Sequence, residues 1–167
     1  MALLGILQFP DPRLQLKAAP VETFDAALQN CIDDMFETLY EAHGVGLAAI
    51  QINIQQQIIV IDISEAQDKP LCLINPKILN KRGSRSHEEG CLSFPGVYAK
   101  VTRADEVDVE FLDRVGKPQT LSATGLLATC IQHEYDHLQG ITYYDLLSPL
   151  KQELLRKKLA KYRQRAL

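Results

Sequence analysis

Long apolar runs are missing from this 167-residue chain, and no stretch approaches the roughly 20 residues that a bilayer-spanning helix requires. The opening segment MALLGILQFPDPRL lacks a basic leader, and Pro10, Asp11, Pro12 and Arg13 cut its short apolar run, so it does not read as a secretion signal. A soluble protein with no membrane partner is expected. Cysteine is sparse as well. Cys31, Cys72, Cys91 and Cys130 are scattered without a C-x-x-C pair, which excludes a disulfide-stapled secreted scaffold and points to reduced thiols in the cytoplasm. Internal repeats and low-complexity segments are also lacking, and nothing marks a second domain.

What is present fits one globular domain over 1–167, with 46% hydrophobic and 23% charged residues. A chain of this length buries a continuous core unaided, so a metal would serve chemistry before folding. The net charge of −3 is unevenly spread. Lys151 to Leu167 holds seven Lys/Arg and the single acid Glu153, about +6, against about −9 for the remainder. A basic end on an acidic body suits an anionic partner such as nucleic acid, or simply a solvated helix face.

Between Phe24 and Tyr40, apolar residues including Leu28, Ile32, Met35 and Leu39 recur at helical spacing, predicting an amphipathic helix that stops near Gly44. Cys31 on that stripe reads as a core thiol. QQIIVIDIS reads as a buried strand, and LCLINPKIL as two extended pieces broken at Pro76. VYAKVT and EVDVEFLD are further strands, and Asp113 to Lys117 turns the chain back into QTLSA. A helix runs from an N-cap at Thr124 to Gly140, and a last basic helix, 149–165, follows Ser148-Pro149. Without regular strand–helix alternation the class is α+β, with mostly antiparallel sheets around a central helix and a C-terminal helix.

That central helix holds the clearest chemical signal. His133 and His137 are four residues apart, so their rings project about 40° from one another on one face, as two ligands of one ion require. Glu134 beside them can reach an activated water as general base without binding the metal. A lone H-x-x-x-H arises often by chance; the full H-E-x-x-H on a capped helix is a stronger sign of a water-activating metal site. A third protein ligand is needed, and Cys91, Cys130, Asp136, Glu88, Glu89, His43 and His87 are candidates. Cys130 lies seven residues, or about 10 Å of rise, from His137, and Asp136 points away from the histidine pair, better placed to orient a neighbour or pair with a cation. The segment EEGCLSFPG reads as a loop in which Cys91 is free to approach an ion, the alternative being a buried loop thiol.

Three segments together carry a family likeness. Gly44-Val45-Gly46-Leu47-Ala48-Ala49-Ile50-Gln51, Glu89-Gly90-Cys91-Leu92-Ser93 and His133-Glu134-Tyr135-Asp136-His137 appear in order. The chain resembles bacterial peptide deformylases in all three, and the likeness extends through MFETLY, IIVIDISE, LINPKIL, DRVGKP and LSPLKQ. The resemblance implies a hydrolase that removes the N-formyl group from the initiator methionine of nascent polypeptides and releases formate. It implies Cys91, His133 and His137 as metal ligands, Glu134 as general acid/base, and Gln51 with the Leu92 backbone N–H as oxyanion donors. The metal it implies is Fe²⁺, while one sulfur and two imidazoles also accept Zn²⁺, Ni²⁺ or Co²⁺.

Formyl hydrolysis needs an activated water, a proton shuttle and donors aimed at a developing oxyanion, and these residue types supply all three. Gly44, Gly46 and Gly90 lack a Cβ, so a peptide backbone could lie against them as an added strand. The resemblance places Val45, Leu92, Thr129, Cys130 and His133 around a methionine pocket. At the rim the chain departs from the family: Tyr98 stands where many members carry a peptide-contacting Arg, and His87 and Thr129 replace aliphatic residues. For the basic last helix the resemblance implies a ribosomal RNA partner near the nascent-chain exit. The rival reading is an H-E-x-x-H zinc peptidase cleaving internal bonds, with Glu88 or Glu89 as third ligand; the downstream Glu or His such enzymes often use is represented only by Glu153, on the basic helix.

Overall fold

The computed structural model describes residues 2–166. Its first helix, α1 (Ala26–Glu41), starts two residues later than the apolar spacing suggests, because the Asp25 side chain accepts the Leu28 N–H and caps it there. The helix ends in a Schellman arrangement: the His43 N–H donates to the Tyr40 carbonyl and the Gly44 N–H to the Leu39 carbonyl, each at 3.1 Å. His43, at φ 56°, takes the left-handed position, not the glycine that follows it.

Seven strands follow: β1 (Gly46–Ala48), β2 (Ile58–Ile61), β3 (Leu71–Arg82), β4 (Arg85–Cys91), β5 (Phe94–Arg103), β6 (Glu106–Leu112) and β7 (Pro118–Thr124). Five form an antiparallel sheet in the order β1-β2-β3-β6-β7, while β4 and β5 pair only with each other. Helices α2 (Gly125–Leu138) and α3 (Pro149–Arg165) complete the α+β arrangement.

The large sheet is covered on both faces, and β2 shows how. Ile59 and Ile61 pack with Ala128, Ile131 and Leu138 of α2, whereas Ile58 and Val60 pack with Ile32, Met35 and Leu39 of α1. A strand buried on both sides must be apolar throughout, which explains the unbroken IIVI. A third cluster of Phe94, Val97, Val101, Tyr143, Leu155 and Leu159 fastens α3 to the β4–β5 hairpin.

Three predicted features change. Pro76 does not break β3: register shifts between Ile74 and Lys77 admit the proline, and left-handed Asn75 (φ 51°) bonds through its side chain to both backbone groups of Val21. The segment expected to be a loop around Cys91 is largely strand, since Arg85–Cys91 pairs residue by residue with β5. Thr124 precedes α2 as expected, but its side chain makes no capping bond. Ser148 does cap α3, accepting the Lys151 N–H at 3.3 Å.

Gly140 closes α2 at φ 78°, and a Cβ there would run into the Gln15 carbonyl. Gly140→Ala is expected to cost about 1–3 kcal/mol, read as a lower urea midpoint with an unchanged m-value.

Candidate metal centre

Helix α2 turns its polar face inward. His133 and His137 are 6% and 0% exposed, with ring centroids 5.1 Å apart. The opposing element is the end of β4, where a register shift between Gly90 and Cys91 re-aims the cysteine, and Leu92-Ser93 turn the chain into β5. Cys91 Sγ comes within 3.4 Å of His137 Nε2, and one ligand atom from each of Cys91, His133 and His137 lies within 4.8 Å of the others. The other three cysteines stand apart from this group; Cys130 lines the adjoining cleft, with its thiol pKa pushed up to about 12 chiefly by burial.

Glu89, weighed above as a ligand, has another task. Its Oε1 accepts from His133 Nδ1 at 2.8 Å, and its two oxygens accept from Arg103 Nε at 2.6 Å and Nη2 at 3.1 Å. Arg103 also donates to Asp136 at 2.9 Å. The bond to Glu89 fixes the His133 tautomer, leaving the Nε2 lone pair for a cation. Asp136 pairs with a cation, as its direction on the helix suggested. Arg103 was missed by sequence reasoning, because a single arginine at the end of VYAKVTR has no local pattern to distinguish it.

Charge favours a cation here. Burial opposes protonation of His133, yet Glu134, Cys91 and Glu89 outweigh it and hold its pKa well above the usual imidazole value. Burial, with His133 and Arg103 adding to it, keeps His137 neutral, the form in which an imidazole nitrogen binds metal. The Glu134 carboxyl, 4% exposed, has its pKa pushed up to about 7 mainly by burial. Glu134 Oε1 and His137 Nδ1 have no hydrogen-bond partner among the described residues. A soft sulfur, two imidazoles and an unpaired carboxylate fit a divalent ion and an attached water.

Gln51 sits on the short 3-10 turn Ala49–Ile52 and is 1% exposed. Its Oε1 accepts the Ala48 N–H at 2.9 Å, which turns the amide nitrogen toward Ser93 Oγ at 3.1 Å and Cys91 Sγ at 3.6 Å. The amino-terminal segment braces this corner: the Leu7 N–H donates to the Gln51 carbonyl at 2.7 Å and the Phe9 N–H to the Ser93 carbonyl at 2.8 Å.

A cleft of about 450 Å³ opens beside these groups, lined in part by Gly44, Val45, Gly46, Gly90, Leu92, Tyr98 and Thr129. The glycines also make room for the protein's own side chains. A Cβ on Gly46 would stand 2.7 Å from Glu134 Oε2, one on Gly44 2.8 Å from Leu92 Cδ1, and one on Gly90 2.7 Å from the Tyr98 ring. The protein's own side chains occupy that space. His43, His87 and Glu88 line the same cleft outside the ligand group.

A helix-borne H-E-x-x-H completed by a strand-borne cysteine defines a metal-dependent hydrolase centre. The family model described as polypeptide deformylase matches residues 3–153. The chain is 56% identical over 166 residues to peptide deformylase 2 of Xanthomonas campestris, covering 98% of each chain. It is likewise 56% identical over 161 residues to peptide deformylase of Chromobacterium violaceum, covering 96% of each. The crystal structure of a peptide deformylase from Legionella pneumophila superposes with TM-score 0.94 at 49% identity, over 97% of this chain and 96% of that one. One from Synechococcus elongatus in complex with actinonin gives 0.89 at 43% identity, over 95% and 87%. The chain belongs to the polypeptide deformylase family, a family of metal-dependent enzymes.

Glu89→Gln removes the charge that orients His133, and metal affinity is expected to fall about 10- to 100-fold, measured by chelator competition. Arg103→Leu strands the buried Glu89 carboxylate, and takes a partner from half-buried Asp136, and should cost about 3–5 kcal/mol, measured by urea unfolding.

Proposed function

We propose that this chain hydrolyses the N-formyl group of the initiator methionine of nascent polypeptides, releasing formate, with Cys91, His133 and His137 as ligands of one divalent ion. The observation that carries the reading is the convergence of Glu134, the Gln51 amide and the Leu92–Ser93 turn on the Cys91–His133–His137 group. The ion supplies a Lewis acid that makes a water nucleophilic at neutral pH.

Glu134 accepts the proton of the attacking water and returns it to the departing amine. Its raised pKa suits both steps, since a group titrating near neutrality holds and yields a proton with comparable ease. Gln51 Nε2 faces the cleft because Ala48 fixes the other end of the amide, and its long contact to sulfur is readily exchanged for a developing oxyanion. The Leu92 backbone N–H, at the hairpin tip beside Cys91, is the second donor.

The peptide lies between two sheet edges. β1, with Gly46, is the outer strand of the large sheet, and β4, with Gly90, has one partner only, so both offer main-chain groups to a substrate of any sequence. Gly44, Val45, Tyr98 and Thr129 complete the substrate walls. The whole of 1–167 acts as one catalytic domain. Fe²⁺ is the ion we expect natively, with Zn²⁺, Ni²⁺ or Co²⁺ accepted by the same donors.

The zinc-peptidase reading is disfavoured by Glu89, whose oxygens are committed to Arg103 and His133, and by a cysteine in the third ligand position. No helix of the described residues is long and apolar enough to cross a membrane. The cytoplasm is the compartment we expect, and the cations of α3 give the ribosome a docking surface.

Formyl-Met-Ala should yield formate while an unformylated peptide stays uncut; cleavage without formate would reverse the assignment. Glu134→Ala is expected to keep stoichiometric metal and lose formate release, and Gln51→Ala to lower kcat about 10²- to 10³-fold. Metal analysis of anaerobically prepared protein, paired with activity, should find Fe²⁺ in the more active samples.

A further inference from the structure

The cations of α3 divide by surroundings. Arg156 bonds to the Tyr144 hydroxyl, Lys157 pairs with Glu153 at 3.6 Å, and Arg163 donates to the Phe9 carbonyl. Lys158, Lys161 and Arg165 have no side-chain hydrogen bond or ion pair to another described residue. Spaced at i, i+3 and i+7, these three share one face of the helix.

That face lines a second cavity, of about 330 Å³, together with Glu88, Tyr98 and Tyr162. The catalytic cleft and this cavity have Glu88, Gly96, Val97 and Tyr98 in common, so the two adjoin at Tyr98. Tyr98 is 61% exposed but not freely placed: it faces Gly90 across the hairpin and lies against the space a Cβ would fill. Tyr162 seats in the same way on left-handed Gly96, which anchors α3 beside the cleft.

We infer that the peptide-binding cleft continues over Tyr98 onto the Lys158–Lys161–Arg165 face, where it takes an acidic side chain of the substrate a few residues beyond the formylated one. This rests on the deformylase reading of the cleft. Three cations against the one carboxylate of Glu88 leave the cavity net positive, and Glu88 is also partnered in register with Lys100. A substrate strand advances about 3.3 Å per residue, so a side chain several residues along reaches past Tyr98. The cavity's volume suits one or two side chains, and a carboxylate in its wall favours a peptide over a run of phosphates.

The metal-loaded enzyme is assayed for formate release on formyl-Met peptides in which a single Asp, or Asn as control, is moved from the second to the sixth position. A kcat/KM ratio of Asp over Asn of about two to five is expected at one or two adjacent positions beyond the second, carried by KM and reduced at high salt. The ratio should fall to one in K158Q/K161Q/R165Q, and K158E/K161E should favour Lys over Asp at the same position. A wild-type ratio of one at every position overturns the inference, and so does a triple variant that keeps the ratio. Loss of ribosome co-sedimentation in the triple variant, together with a wild-type peptide ratio of one at every position, would leave the face to RNA alone. Formate from none of the peptides would count against the deformylase reading itself.

Discussion

One buried carboxylate, Glu89, ties the catalytic helix to a hairpin that belongs to no larger sheet. It accepts from His133 on α2 and from Arg103 on β5, and Arg103 returns to α2 through Asp136. Burying a guanidinium and a carboxylate is unfavourable unless every charge is matched, and here the matches lie on three separate elements. The hairpin can therefore approach α2 in only one orientation. That orientation brings Cys91 to the two histidines.

The same enclosure shapes the proton chemistry. Glu134 is buried closely enough to titrate near neutrality, and the room for its carboxylate exists because Gly46 has no side chain. The glycines of the first motif and of the hairpin thus serve the protein's own packing, with Leu92, Glu134 and Tyr98 in the space they leave. A Cβ at Gly46 would displace the Glu134 carboxylate before it touched anything in the cleft.

Much of this was legible in the residues alone. The helix between Thr124 and Gly140, the Ser148-capped last helix, most of the antiparallel strands and the Cys91–His133–His137 grouping stand as expected, because helical period and a compact motif are local signals. β4 was not legible: RSHEEGC is polar and half-exposed, so alternation of burial has no hydrophobic counterpart to reveal it. Pro76 misled for a related reason, since a bulge braced by Asn75 on Val21 is a long-range fact. Arg103 and the second role of Glu89 depend on contacts across 14 to 44 positions of chain, which no window of sequence displays.

The strap formed by Leu7 and Phe9 joins the two ends of the polypeptide through the site. Phe9 donates to the Ser93 carbonyl on the Cys91 turn, stacks on Phe94, and receives Arg163 of the last helix at its own carbonyl. The carboxyl-terminal helix thus bears on the Cys91 turn at one remove, through Phe9, without itself reaching the ligands.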